Sequence, residues 1–336
     1  MKRFACVVLG LLGVGLLAWD APGHRAITVA ALRELPADAP AFLRDAHVQA
    51  QIADLATQPD RWRGVALAQL THVNNPDHYL DVEDLGAYAL TLDTLPVLRH
   101  ECIRAMVLAK ERAGAAFKGR PVNPATDPAK VLEWPGFLPY AMAENFGKVR
   151  SAMQTFRILE SLNDPARADQ LDAARANMIA AMGILSHFVG DCAQPLHTTT
   201  HHHGWIGDNP KAYTTDRGFH AYIDGGVVRL HDLAHADLIA GAIGEIPPVN
   251  AKDPWPALLD AIRRSHAQVE PLYVMEKSGE LRQEPGRVFI LARLADGAAT
   301  LRAIYHAAWN ESAPSAKEIA DFRRYDGRPD PLNNAE

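Results

Sequence analysis

The chain has 336 residues, of which 48% are hydrophobic, so it is long enough to bury a substantial core. Its 34 Lys and Arg residues stand against 40 Asp and Glu residues, which gives a formal net charge of −6. This balance excludes a protein that attracts polyanions through a strongly basic surface, so any attraction for nucleic acid has to be local.

Residues 1–18 have the composition of a secretory signal peptide. Two basic residues precede an apolar run over residues 4–17, and Ala18 ends the segment. We expect cleavage after Ala18 and an exported protein, secreted or periplasmic, whose mature chain begins at Trp19 and has no transmembrane span. An uncleaved anchor is the alternative, because Leu16 is not the small residue that cleavage prefers three residues before the cut.

The spacing of apolar residues predicts helices along the chain and no convincing strand. Ile27, Ala31 and Leu35 recur at four-residue steps behind a Pro-Gly start, which indicates a helix. The range Asp164–Asp191 is typical of two linked helices, the second rich in Ala and Met. A further amphipathic helix near the end is marked by Leu291, Leu294, Leu301, Ile304 and Ala308.

Two stretches, residues 123–139 and 198–217, lack an apolar period and are rich in turn-forming residues. From residue 311 to residue 336 the chain is polar and contains proline, which predicts a tail. The sequence therefore predicts an all-α protein with a single, mainly helical domain over residues 19–310 and long functional loops.

Histidines and aspartates suited to zinc recur over two thirds of the chain. They are His24, Asp60, His78, His187, Asp191, His197, His220 and Asp224. His187 and Asp191 are four residues apart, as are His220 and Asp224, so on a helix each pair lies on one face. A lone histidine is usually an ordinary surface or core residue, but this combination predicts a metal centre.

These residues stand in motifs that resemble the superfamily of zinc-dependent phospholipases C and fungal single-strand-specific zinc nucleases. The motifs are Trp19-Asp-Ala-Pro-Gly-His24, Asp60-Arg-Trp-Arg63, His78-Tyr-Leu-Asp81, Ser186-His-Phe-Val-Gly-Asp-Cys-Ala-Gln-Pro-Leu-His197 and His220-Ala-Tyr-Ile-Asp224. The resemblance extends from Trp19 to about Leu230, and its Gly-Asp…Gln-Pro-Leu-His run is the most specific part.

The resemblance implies a helical domain that binds three Zn²⁺ ions. One zinc ion would be held by Asp60, His78, His187 and Asp191. A second would be held by the Trp19 amine and carbonyl, His24 and again Asp191, and the third by His197, His220 and Asp224. Asp191 would bridge the close pair, because a carboxylate offers two oxygens and an imidazole cannot do this.

The implied reaction is hydrolysis of a phosphodiester through a metal-activated hydroxide. Asp60 would orient the attacking water or take its proton, and the third zinc would stabilise the leaving oxygen. Arg63 matches a family arginine that neutralises charge on the phosphate oxygens. The alternative for Arg63 is an ordinary surface arginine.

Single-stranded DNA or RNA is the expected substrate, with 5′-nucleotides as products and a 3′-nucleotidase activity beside the endonuclease activity. Asp224 stands where the lipases have Glu, and the loop between His197 and His220 has the longer, nuclease-like length. Tyr79 and Asp81 match an aromatic ring and an acid that bind a base. The alternatives are core packing for Tyr79 and a contact to a ligating histidine for Asp81.

Two other functions compete with the nuclease. One is a phospholipase C that acts on phosphatidylcholine-like lipids, since both branches of the superfamily share the metals. The other is a non-enzymatic zinc-binding protein of the cell envelope, which would explain the 15 histidines but not Arg63. None of these functions implies a stable protein partner.

Several features depart from the family pattern. The stretch over residues 79–186 is much longer than in the fungal nucleases, and its segment 134–140 can overhang the metal groove. His201–His203 has no counterpart; we expect a solvated loop rather than a role in substrate or metal binding. Whether Cys102 and Cys192 pair is left open by the sequence.

Overall fold

The computed structural model describes residues 19–120, 123, 125 and 127–326. The predicted signal peptide, residues 1–18, lies outside the described residues, as do residues 327–336 of the predicted tail. The described part is mainly helical, which confirms the expected fold class. Its only β pairing is an isolated bridge between Leu80 and Gly136.

The helices follow one another with short 3₁₀ turns and irregular loops between them. Their bounds are α1 Ala21–Leu32, α2 Ala46–Leu55, α3 Gln58–Arg63, α4 Ala68–Asn74, α5 Arg99–Ala113, α6 Leu138–Leu162, α7 Ala168–Ala193, α8 Phe219–Ala221, α9 Val227–Leu230, α10 Ala236–Gly241, α11 Trp255–His266, α12 Val269–Ser278, α13 Glu284–Asn310 and α14 Ala316–Asp326. A π-helical stretch, Tyr222–Gly226, joins α8 to α9. No helix in the described ranges is both long and apolar enough to cross a membrane.

Helix α7 is the centre of the fold, because α1, α2, α3, α6, α11 and α13 all pack against it. Gly183 lets α2 come close: a Cβ there would lie 2.5 Å from the Leu55 Cβ and 2.7 Å from the Ile52 carbonyl oxygen. The C-terminal half of α7 is buried on all sides, so polar residues there are shielded from water.

Two predicted helix boundaries differ from the structure. Residues 164–191 do not form two linked helices: a 3₁₀ turn, Pro165–Arg167, precedes the continuous 26-residue α7. The glycines inside α7 do not break it, since neighbouring helices occupy the space beside them. Leu35 lies beyond α1, because the residue before Pro36 is disfavoured in helical conformation.

The predicted C-terminal amphipathic helix is confirmed as α13. The following segment, expected to be a polar tail, contains α14. This helix docks on the domain through Phe322, which packs against the core, and through polar contacts: the Gln154 amide donates to Glu318 at 2.9 Å, and Arg167 pairs with Asp326. Its exposed, charged sequence explains why apolar periodicity did not predict a docked helix.

Candidate metal centre

His187 and Asp191 lie one turn apart near the C-terminal end of α7, and both are completely buried. Gly190 stands between them, and a Cβ there would lie 2.7 Å from the His24 Nδ1 atom. The missing side chain lets the His24 ring, which α1 carries, stack on His187 with 4.2 Å between ring centroids. Helix α7 therefore brings together ligands from distant parts of the chain.

Asp60, His78 and His187 form the first cluster. The His187 Nε2 atom lies 2.9 Å from the His78 Nδ1 atom, which is 3.8 Å from the nearer Asp60 oxygen. The other nitrogen of His187, Nδ1, donates to the Ala56 carbonyl at 2.8 Å. A histidine anchored in this way presents a lone pair on Nε2 towards the cluster, as metal-binding histidines do.

His24, His187 and Asp191 form the second cluster. Asp191 Oδ1 lies 3.2 Å from the His24 Nε2 atom, whereas Oδ2 lies 3.3 Å from His187 Nε2 and 3.0 Å from His78 Nδ1. The two oxygens of one carboxylate thus face different histidines. This is the arrangement that a carboxylate bridging two ions requires.

His197, His220 and Asp224 form the third cluster. The His220 Nε2 atom lies 3.0 Å from His197 Nε2 and 3.1 Å from an Asp224 oxygen. His197 Nδ1 donates to the His78 carbonyl at 2.6 Å, which ties this cluster to the first. Gln194 donates to the other Asp224 oxygen at 2.7 Å and fixes the carboxylate.

Buried atoms of these clusters face one another without full hydrogen bonding: His24 Nε2 lies 3.2 Å from Asp191 Oδ1 and His220 Nε2 lies 3.1 Å from Asp224 Oδ2, while His24 Nδ1 and His220 Nδ1 have no hydrogen-bond partner. Unpaired buried polar groups are costly, and a cation would satisfy the facing ones. Burial lowers the pKa of His78 to about 4 and that of His220 to about 3, so both imidazoles are neutral and able to bind a metal. Burial also raises the pKa of Asp224 well above its ordinary value, a cost that a cation would offset. The donors fit the predicted zinc ions.

Trp19 is fully buried at the head of α1. The next residue, Asp20, donates its N–H to the Asp224 carbonyl at 3.1 Å, so the start of the described chain lies against the third cluster. The three clusters consist of side chains alone, and the role of the Trp19 amine and carbonyl as ligands stays a prediction.

Arg63 lies beside the first cluster rather than on the open surface. It is one turn after Asp60 on α3, its Nη1 atom is 3.5 Å from an Asp60 oxygen, and its side chain is 15% exposed. A guanidinium in this position is close to the metal ligands yet keeps donors for an anion.

Tyr79 and Asp81, the predicted base contacts, differ in their burial and in the partners that they already have. The Tyr79 hydroxyl donates to the Val131 carbonyl at 3.1 Å, and its ring lies 6.3 Å from that of His202. Asp81 is completely buried and pairs with Arg120 at 2.6 Å. Its carboxylate is therefore already engaged, by a residue that sequence reasoning did not identify.

Segment 134–140 packs along the backbone of residues 76–81. The Asp81 N–H donates to the Pro135 carbonyl at 2.6 Å, and the Leu138 N–H donates to the Tyr79 carbonyl at 3.1 Å. Gly136 has a φ of +107°, and a Cβ there would lie 2.1 Å from the Tyr79 carbonyl oxygen. This part of the long insertion thus holds the strand-like segment that follows His78.

His201–His203 differs from the solvated loop that we expected. All three residues are half-buried, and the His203 ring lies 5.4 Å from that of His220. Cys102 in α5 and Cys192 in α7 are buried free thiols.

A cavity of about 600 Å³ lies behind His78, on the side of its ring away from the clusters, and no cluster residue lines it. Its lining includes Trp62, next to Arg63, and Phe188, whose ring lies 5.6 Å from that of His78. The Asn74 amide, also in the lining, is 3.4 Å from His78 Nε2.

The chain has no match among protein-family models, curated proteins or solved structures.

Proposed function

We propose that this protein is an exported zinc-dependent phosphodiesterase of the superfamily that contains the zinc-dependent phospholipases C and the single-strand-specific nucleases. Its main activity would be cleavage of single-stranded DNA or RNA to 5′-nucleotides. The observation that carries the proposal is the set of three buried His and Asp clusters, of which two share His187. Chance burial of so many adjacent imidazole and carboxylate groups is improbable, because burying polar and charged groups costs stability unless they are paired or bind a metal.

Zinc, Asp60, Arg63 and Asp191 would each have a separate role in phosphodiester hydrolysis. When bound, zinc ions lower the pKa of a water molecule to about 7 and stabilise negative charge on phosphate oxygens. Asp60, 8% exposed, is placed to orient the attacking water or accept its proton. Arg63 offers its planar fork to the phosphate oxygens, and Asp191 keeps His24, His78 and His187 in register.

One observation favours a phospholipase C as the second candidate. Large apolar side chains are exposed on the chain that follows Arg63: Val65 is 46% and Leu67 51% exposed between α3 and α4, and Val73 is 54% exposed within α4. Val65 and Leu67 are two and four residues after Arg63. An apolar surface next to the site suits a lipid better than a polynucleotide.

The test compares two substrates of the zinc-loaded protein beginning at Trp19. A single-stranded oligonucleotide and a short-chain phosphatidylcholine are each assayed with and without a chelator. Chelator-sensitive release of 5′-mononucleotides supports the nuclease, and turnover of the lipid alone supports the phospholipase. Retention of zinc without hydrolysis of either substrate would contradict both and leave the envelope zinc-binding protein.

A further inference from the structure

His202 and His203 have no role in the proposed reaction, but they lie close to Tyr79 and His220, which do. The His202 ring is 6.3 Å from that of Tyr79 and 6.1 Å from that of His220, with centroids as the reference points. The His203 ring is 4.5 Å from His202. The pair therefore lies between the predicted base contact and the third cluster.

The hydrogen bonds of the two rings fix which nitrogen carries the proton. His202 Nδ1 lies 3.1 Å from the Thr199 carbonyl oxygen and 3.5 Å from an Asp81 oxygen, so it carries a proton, and in the neutral ring Nε2 is an acceptor. His203 Nδ1 is buried without a partner, so its proton is better placed on Nε2, where a ligand or water can accept it.

One acceptor and one donor side by side match a hydroxyl group, which donates one hydrogen bond and can accept another. Cleavage to 5′-nucleotides breaks the bond between phosphorus and the 3′-oxygen, which is the leaving oxygen. The neighbouring carbon of the sugar, C2′, carries a hydroxyl in RNA and only hydrogen in DNA. That sugar carries both the base and the leaving oxygen. A base at Tyr79 and a leaving oxygen at the third cluster would therefore place the sugar near His202 and His203.

We propose that His202 and His203 bind the ribose 2′-hydroxyl beside the leaving oxygen, so that the enzyme prefers RNA to DNA. This inference rests on the proposed phosphodiesterase function and names its substrate class. It predicts discrimination at the sugar, a property that the metal ligands cannot supply.

The loop that carries the pair is held in place before any substrate binds. Thr199 donates its hydroxyl to Glu83 at 2.6 Å, and the Thr200 N–H donates to the other Glu83 oxygen at 3.0 Å. His266 bonds the Thr198 carbonyl at 2.9 Å. Such anchoring lowers the entropic cost of binding a hydroxyl.

The experiment measures kcat/KM of the zinc-loaded protein for the ribo and deoxyribo forms of one dinucleoside monophosphate. The wild type should prefer the ribo form by about tenfold, as expected for hydrogen bonds to a single hydroxyl. His202→Ala and His203→Ala should each lose most of this preference through slower ribo cleavage, with deoxyribo cleavage little changed.

His201→Ala is the matched control. His201 belongs to the same loop but stacks on Trp205, with 3.9 Å between centroids, so its loss should keep the preference. Zinc per chain is measured for each variant, and where His203→Ala loses zinc, His203→Asn replaces it. Equal rates for the two wild-type substrates, or an equal loss on both in the variants, would overturn the inference while the phosphodiesterase function stands. No hydrolysis of either substrate would overturn that function as well.

Discussion

At the residue scale, Asp191 is the central residue of the candidate metal centre, because one of its oxygens faces His24 and the other faces His78 and His187. An asparagine has the same shape but offers one oxygen and no charge. It cannot bridge two cations, so the substitution tests the bridging role without changing side-chain volume.

Asp191→Asn is expected to abolish hydrolysis and to lower the zinc content of the first two clusters. Zinc per chain and phosphodiester hydrolysis are measured on the same preparation. Asp172→Asn, on the exposed surface of α7, is the control and should leave both unchanged. Full activity of Asp191→Asn would refute the three-zinc account.

Gln194→Ala is expected to weaken zinc binding at the third cluster about 10- to 100-fold, the usual effect of removing a partner of a ligating carboxylate. The amide of Gln194 holds Asp224 at 2.7 Å, and its loss frees that carboxylate to turn. A competition titration with a chelator measures the affinity. Gln154→Ala, which removes only an exposed hydrogen bond to Glu318, should have no effect on it.

At the element scale, α7 is the scaffold of the centre, since it supplies two ligands and the glycine that admits His24. The spacing of His187 and Asp191 allowed the sequence to place both on one helix face. The ion pair of Asp81 and Arg120 was beyond sequence reasoning, because Arg120 precedes an irregular stretch whose path no apolar period predicts. His203 was missed for a similar reason: only the folded loop brings it to His220.

Gly190→Ala is expected to displace His24, since the added Cβ would lie 2.7 Å from its Nδ1 atom. Overpacking of this kind costs about 1–3 kcal/mol, and the second cluster should lose zinc affinity with it. Urea unfolding and zinc content are the measurements. Gly147→Ala in α6 is the control: a Cβ there meets nothing within 4 Å, so stability should stay equal or rise. Unchanged zinc content in Gly190→Ala would argue against His24 as a ligand.

At the scale of the whole molecule, the centre joins α1, α3, α7, α8 and the turn at His78, so metal binding and folding should be linked. The all-α class was predictable from apolar spacing, and the residues of the three His and Asp clusters from the motifs. The docked α14 was not, because its sequence is mostly polar and only Phe322 packs against the core.

Zinc is expected to raise the unfolding temperature, because the clusters exist only in the folded chain. At a free zinc concentration of 100 times the Kd, one site adds about 2.7 kcal/mol of stability. Scanning calorimetry with zinc, with magnesium and with a chelator measures the effect. Equal unfolding temperatures with zinc, with magnesium and with the chelator would mean that the buried clusters do not bind zinc.

The most direct test of the central claim is anomalous diffraction at the zinc absorption edge from crystals of the zinc-loaded protein. The account predicts three peaks, one at each of the clusters centred on His78, His24 and His220. Peaks confined to surface histidines such as His235, with none at the buried clusters, would contradict it.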